Sequence, residues 1–169
     1  GKFRLKGYSK TEEGLAAINQ LYDLAVDEER KPFLWTCALY YYVAVMASKM
    51  SFVEMFDHLE RYVDDPQRRW YLCVRVKRGI FDTADHGGLY KDQVYLEGAV
   101  EILRKRKRID FRMMYAGKLS LDDILRPEIA AITSVETLIL PKIISDDHDK
   151  YLRALDRIAE VNGIDDCTQ

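Results

Sequence analysis

Apolar residues recur at steps of three and four along almost the whole chain, a period that suits an α-helix and would scatter a strand's side chains over both faces. The helix starts carry capping chemistry as well. Ser9-Lys-Thr-Glu12 has the spacing of a capping box, in which the serine oxygen accepts from the third amide while the glutamate reaches back, and it predicts a helix over 10–27. Leu15, Ile18, Leu21, Tyr22 and Ala25 form its inward stripe. Pro32 opens a second helix, to Lys49, because proline at the first helical position forfeits no bond. That helix is apolar on nearly every side, from Phe33, Leu34 and Trp35 to Val45 and Met46, so it is read as central and buried.

Ser51-Phe-Val-Glu54 is a second capping box and starts a shorter helix through Val63, with Phe52, Met55, Phe56 and Leu59 inward. Asp64-Asp65-Pro66 ends it and caps the next, which runs over 66–78 and stops at Gly79. Residues 79–90 are rich in turn formers and read as a surface loop, the place where function concentrates on a rigid scaffold. Further helices are predicted over 91–107, 111–116 and 120–125, while 129–140 mixes Ile, Val, Thr and Leu without a period. The last helix, capped by Ser145 or Asp146 and ended by Gly163, places Tyr151, Leu152, Leu155, Ile158 and Ala159 on one face. The expected fold class is all-α, a single helical domain over 1–169 of about six to eight helices, with no internal repeat and no linker.

Composition removes several classes of function. Apolar residues at 48% and charged residues at 32% describe a chain with a core, and the run Ala38–Ala47 falls well short of the roughly 18 apolar residues that cross a bilayer. Lysine plus arginine at 26 against aspartate plus glutamate at 28 leaves a net charge of −2, which favours neither nucleic acid nor a membrane surface. Cys37, Cys73 and Cys167 form no CxxC pair and no disulfide framework, as expected of a reducing, cytoplasmic compartment. His58, His86 and His148 are too scattered to build a metal site from neighbouring positions. The opening Gly1-Lys-Phe-Arg-Leu-Lys-Gly7 has neither an initiator methionine nor the apolar stretch of a signal peptide, and reads as a start inside a longer protein. Phosphate-binding loops, nucleophile elbows and H-E-x-x-H are all missing.

Four features carry candidate chemistry, each beside a plainer explanation. Glu12-Glu13 suits a helix start, but Glu12 fills the cap and leaves Glu13 free to point elsewhere. Gly14 beside it costs about 1 kcal/mol in a helix relative to alanine, a cost that close approach of another group would explain. Arg75 and Arg78, just before Gly79, complement a helix C-terminus. Lys91, followed by Asp92 and Tyr95, sits against the dipole of a helix start, directly after the turn-rich loop. The run Arg104-Lys-Arg-Lys-Arg108 reads as a solvated helix end, with an acidic-partner patch as the sharper alternative.

Thr11-Glu-Glu-Gly-Leu-Ala16 resembles the T-E-E-G-L-A element of a zinc metallopeptidase family that includes the microtubule-associated tyrosine carboxypeptidases. Arg75-x-x-Arg78-Gly79 and Lys91-Asp-Gln-Val-Tyr-Leu-Glu-Gly98 resemble that family's R-x-x-R-G and K-D-x-V-Y-L-x-G elements in the same order, and the likeness runs over about 8–125, leaving the tail after Pro127 uncovered. The resemblance implies a zinc cofactor with Glu13 as its third protein ligand, two histidines and a water-activating glutamate coming from an H-E-x-x-x-H helix. That helix is absent from these residues, so the chain reads as the C-terminal part of such an enzyme, inactive by itself. Arg75 and Arg78 are then expected to bind substrate and Lys91 and Tyr95 to act in catalysis, cations and a phenol being suited to a terminal carboxylate or a developing oxyanion. The implied partner is a protein C-terminal tail, with tubulin as the family's eukaryotic substrate; an apolar cleft left open beside Glu13 would favour self-association. The alternative is a non-catalytic helical module that binds a protein partner.

Overall fold

Side-chain caps set the starts of four α-helices. Ser51 accepts from the Glu54 amide while Glu54 bonds back to Ser51, Asp65 accepts from Gln67 ahead of Pro66, and Ser120 and Asp147 accept from the amides of Asp123 and Lys150. The computed structural model describes residues 4, 5 and 7–166, which carry ten α-helices and no strand. These are α1 (Ser9–Asn19), α2 (Tyr22–Val26), α3 (Trp35–Ala47), α4 (Phe52–His58), α5 (Pro66–Lys77), α6 (Gln93–Lys105), α7 (Leu121–Ile124), α8 (Pro127–Ala130), α9 (Lys142–Ser145) and α10 (His148–Val161). Cys167 and the opening tripeptide lie outside the described residues. The chain folds as two compact units, Trp35–Gln93 and the remainder, and it passes between them at the start of α3 and in the first turn of α6. Neither crossing carries a linker's composition.

In the unit Trp35–Gln93, α3, α4 and α5 pack on one another around Leu39, Val43, Met55, Leu59, Leu72 and Val76. Both the Ser51 capping box and the stop at Gly79, whose φ is +88°, match the sequence pattern. The turn-rich 79–90 segment is stitched to the helices rather than loose. Phe52 donates to the Thr83 carbonyl, Gly87 to Ala47 and Leu89 to Val76, and the Lys77 ammonium, 3% exposed, donates to the carbonyls of Met50 and Asp85 at 2.7 Å each. Burial draws the Lys77 pKa down, against the pull of Asp85. A Cβ on Gly88 would lie 2.9 Å from the Val76 carbonyl, so only a bare backbone fits there.

In the other unit, α10 packs against α2 and buries Tyr151, Leu155, Ile158 and Ala159, with Leu152 half-buried. The Tyr151 ring meets Phe111 edge-on at 5.6 Å, and its hydroxyl donates to Asn19 at the end of α1. Burial pushes the Tyr151 phenol far up, so it stays a donor at any physiological pH.

Several expectations need correction. The Ser9 capping box does not form: Tyr8 already has helical backbone angles, so Ser9 lies inside α1 and no side chain caps that end. The helix expected over 10–27 breaks at Gln20–Leu21 into α1 and α2. The second helix starts at Trp35 rather than Pro32, because Asn162 accepts from the Leu34 amide and donates to the Pro32 carbonyl, tying that stretch outside the helix. It is not buried on every side either, since Phe33 and Trp35 are 51% and 48% exposed. The final helix is capped by Asp147, beyond both candidates, and the unassigned tail supplies α8, α9 and a 3-10 turn at Val135–Thr137.

Candidate functional site

Glu13 projects from the second turn of α1, half-buried, and has no hydrogen-bond or ion-pair partner among the described residues. Its helix is fixed on several sides. Thr11, buried, accepts from the Leu121 amide at 2.9 Å, and Asn19 donates to the Tyr115 hydroxyl at 3.0 Å. The strongest constraint is steric: a Cβ on Gly14 would come within 2.3 Å of the Gly98 carbonyl carbon, and one on Gly98 within 2.0 Å of the Lys10 carbonyl oxygen. Helices α1 and α6 therefore cross backbone to backbone, and the close approach that a glycine after Glu13 called for is the other motif's glycine. Tyr95, half-buried, stands one turn before that crossing on α6.

The two arginines of R-x-x-R-G part company. Arg75 points at the 3-10 turn Tyr90–Asp92, where its Nε and Nη2 close a fork on the two oxygens of Asp92, the Nη2 bond being 3.0 Å. Its Nη1 donates to the Tyr71 hydroxyl at 3.2 Å, and its guanidinium lies 4.8 Å from the centre of the Tyr40 ring. The hydrogen bonds to Asp92 push the arginine's pKa still higher than usual. Arg78, one turn on, leaves the helix and is exposed at the end of an apolar groove of about 570 Å³ lined by Phe52, Trp70, Val74 and Ile80. It has no hydrogen-bond or ion-pair partner among the described residues, and neither does the exposed Lys91.

The charged candidate residues thus divide into one that is tied down, Arg75, and three that are open, Glu13, Arg78 and Lys91. Asp92 escaped the sequence reading, which gave it only a helix-start role; the available signal was an acid in one motif block facing an arginine in another. The basic run 104–108 is largely consumed within the chain, since Lys105 pairs with Glu101 and Asp122, Arg106 with Asp156 and Asp166, and Lys107 with Asp156. Among the described residues no group of three or more His, Cys, Asp or Glu side chains is placed to hold a metal ion, so these residues do not by themselves make a zinc site and Glu13 offers a single carboxylate. Among them, too, no helix is long and apolar enough to cross a membrane.

Comparison with known proteins bears on both units. The chain is 45% identical over 166 residues to the mouse and human proteins named "Putative tyrosine carboxypeptidase MATCAP2", and 40% identical over 168 residues to human "Microtubule-associated tyrosine carboxypeptidase 1". These alignments take in 98% of this chain but only 30% and 34% of those proteins, so the chain spans about a third of the length of the curated relatives it matches. The family model described as microtubule-associated tyrosine carboxypeptidase matches residues 4–161, past Pro127, where the motif resemblance had stopped. With all three motif blocks and α7 to α10 inside that match, the chain belongs to the microtubule-associated tyrosine carboxypeptidase family.

Proposed function

We propose that the full-length protein is a zinc-dependent carboxypeptidase that removes a C-terminal tyrosine from an acidic protein tail such as that of tubulin, in the cytoplasm. The observation that carries this reading is the availability of charge within the motif blocks: Glu13, Arg78 and Lys91 have no partners among the described residues while the residues around them are fixed. Zinc, when bound, would supply an acidified water and polarise the scissile carbonyl. Glu13 is the carboxylate this chain offers to it, and the other ligands come from residues outside those described. Arg78 is suited to a peptide's terminal carboxylate, with the apolar groove of Phe52, Trp70 and Val74 beside it to take an aromatic side chain. Lys91 and Tyr95 are suited to a developing oxyanion, one as a cation and the other as a phenolic donor.

The test is metal content and tyrosine release by the full-length protein on an acidic peptide ending in tyrosine. One zinc per chain and release that vanish together in Glu13→Ala are expected; release unchanged by that substitution sinks the proposal. The reading as a non-catalytic binding module draws on the exposure of Trp70, Val53 and Phe81, the last wholly exposed. It predicts peptide binding without zinc and without turnover.

A further inference from the structure

Lys91 sits on a three-residue turn that packs against α3 and has one buried residue. Tyr90 and Lys91 are exposed, and only Asp92 is buried, at 5%. The chain just before the turn is fixed by the Leu89 amide donating to the Val76 carbonyl at 2.7 Å, and the turn itself by the Arg75 fork on Asp92. Arg75 and Val76 are neighbours on α5, so Lys91 is suspended between two attachments to consecutive residues of one helix. Three of the five N–H groups of the Arg75 guanidinium are taken up here, those of Nε and Nη2 by Asp92 and one of Nη1 by Tyr71, while Tyr40 lies against its face. A side chain with those four engagements offers little to an incoming carboxylate.

We infer that Asp92 and Arg75 are positioning residues that together fix the Tyr90–Asp92 turn and the presentation of Lys91, and that Arg75 does not contact the substrate. The inference rests on the proposed reading in which Lys91 meets a peptide substrate, and it replaces the substrate-binding role that the family resemblance implied for Arg75. The pair is bidentate, and a carboxylate held by two parallel bonds cannot swivel, whereas one bond would let it turn and loosen its hold on the Tyr90–Asp92 turn.

The test uses the full-length protein with Arg75→Gln, Asp92→Asn and the double substitution. Binding is read for an acidic peptide ending in a free tyrosine carboxylate and for the same peptide ending in a carboxamide. Each single substitution is expected to weaken the carboxylate peptide by about tenfold to a hundredfold, the usual effect of misplacing a contact by an ångström. The double substitution is expected to be no worse than either single one, since both break the same fork. If Arg75 instead meets the substrate, Asp92→Asn releases it and binding holds or strengthens, while Arg75→Gln erases the preference for carboxylate over carboxamide; that pattern overturns the inference. Hydrogen exchange of the amides at 89–93 is a second readout. Faster exchange confined to those residues in both variants supports the anchor even if the parent binds neither peptide, a result that would count against the proposed function alone. Unchanged exchange there, or acceleration spread over the whole chain, overturns it.

Discussion

In residues 35–93 two motif blocks meet through charge, the Arg75 fork closed on Asp92, whereas α1 and α6 in the other unit meet where two side chains are missing, at Gly14 and Gly98. The two contacts differ in how much slack they have. A guanidinium and a carboxylate have rotatable stems, so a neighbouring change can be absorbed by small torsions at the cost of weaker bonds. The glycine contact has backbone on both sides, and the only way to admit another atom is to move one helix away from the other. Charge therefore makes a contact that degrades gradually, and close backbone packing makes one that fails abruptly.

The sharpest test of that difference is Gly98→Ala. Alanine in mid-helix gains about 1 kcal/mol over glycine in propensity. Against this, the new methyl would lie 2.0 Å from the Lys10 carbonyl oxygen, and overpacking of this kind costs about 1–3 kcal/mol or more, at the upper end when the obstacle is backbone. A net loss is expected, read as a lower denaturation midpoint; a Gly98→Ala protein as stable as its parent would break the comparison. Arg75→Lys should come next. It keeps the charge but not the fork, and losing one of two charge-assisted bonds is worth about 1–2 kcal/mol. The measurement is again the denaturation midpoint; a lysine variant as stable as the parent would remove the fork's geometry from the explanation, and a loss matching that of Arg75→Ala would contradict gradual degradation.

Lys77→Met sharpens the comparison within 35–93. Methionine fills a similar volume but leaves the carbonyls of Met50 and Asp85 without their donor, for about 1 kcal/mol each before water reaches them. Because Lys77 pins the 79–90 segment, the loss should be local, with faster exchange at the Phe52 and Gly87 amides that bond along it and unchanged exchange in α10. Uniform acceleration would show that the segment is part of the unit's cooperative core instead.

The all-α class and the interior of most helices could be read from period and caps because those signals are local. Ser51 and Asp65 work as caps since the residues before α4 and α5 are extended and their side chains can turn back. Ser9 has the same sequence signature but fails because Tyr8 is already helical, which the four letters of the signature do not encode. The late start of α3 was equally hidden, for it depends on Asn162, which is 128 residues from Leu34 in sequence. At the candidate site, motif resemblance picked out the segments and spacing gave no means of sorting their residues. Arg75 and Arg78 are alike as letters; one faces Asp92 and the other a groove, and only the direction in which each leaves α5 tells them apart. Gly14 was legible as a sign of close approach, while the identity of what approaches, Gly98, needed the fold.

The smallest effect separates charge from sterics within a single contact. Beside the glycine crossing, Glu101 of α6 pairs with Lys10 of α1 and with Lys105 one turn on. Burial raises the Glu101 pKa, but the bonds from Lys10 and Lys105 outweigh it and the carboxyl ends below the usual glutamate value. The folded protein then binds that proton less readily than the unfolded chain. Its contribution is present above the ordinary glutamate range and is lost as the pH falls through the lowered folded value. With a quarter of the side chain exposed, the pair is worth about 0.2–1 kcal/mol and should shrink in high salt. Glu101→Gln is expected to lower stability by that amount at neutral pH and by progressively less as the pH falls through the lowered folded value, where the parent loses the same contribution. The effect of Gly98→Ala should be almost independent of pH, because a clash between backbone atoms carries no proton. If Glu101→Gln and the parent instead run parallel from neutral to acid, the ion pair contributes nothing to the crossing and the glycines hold α1 against α6 without it.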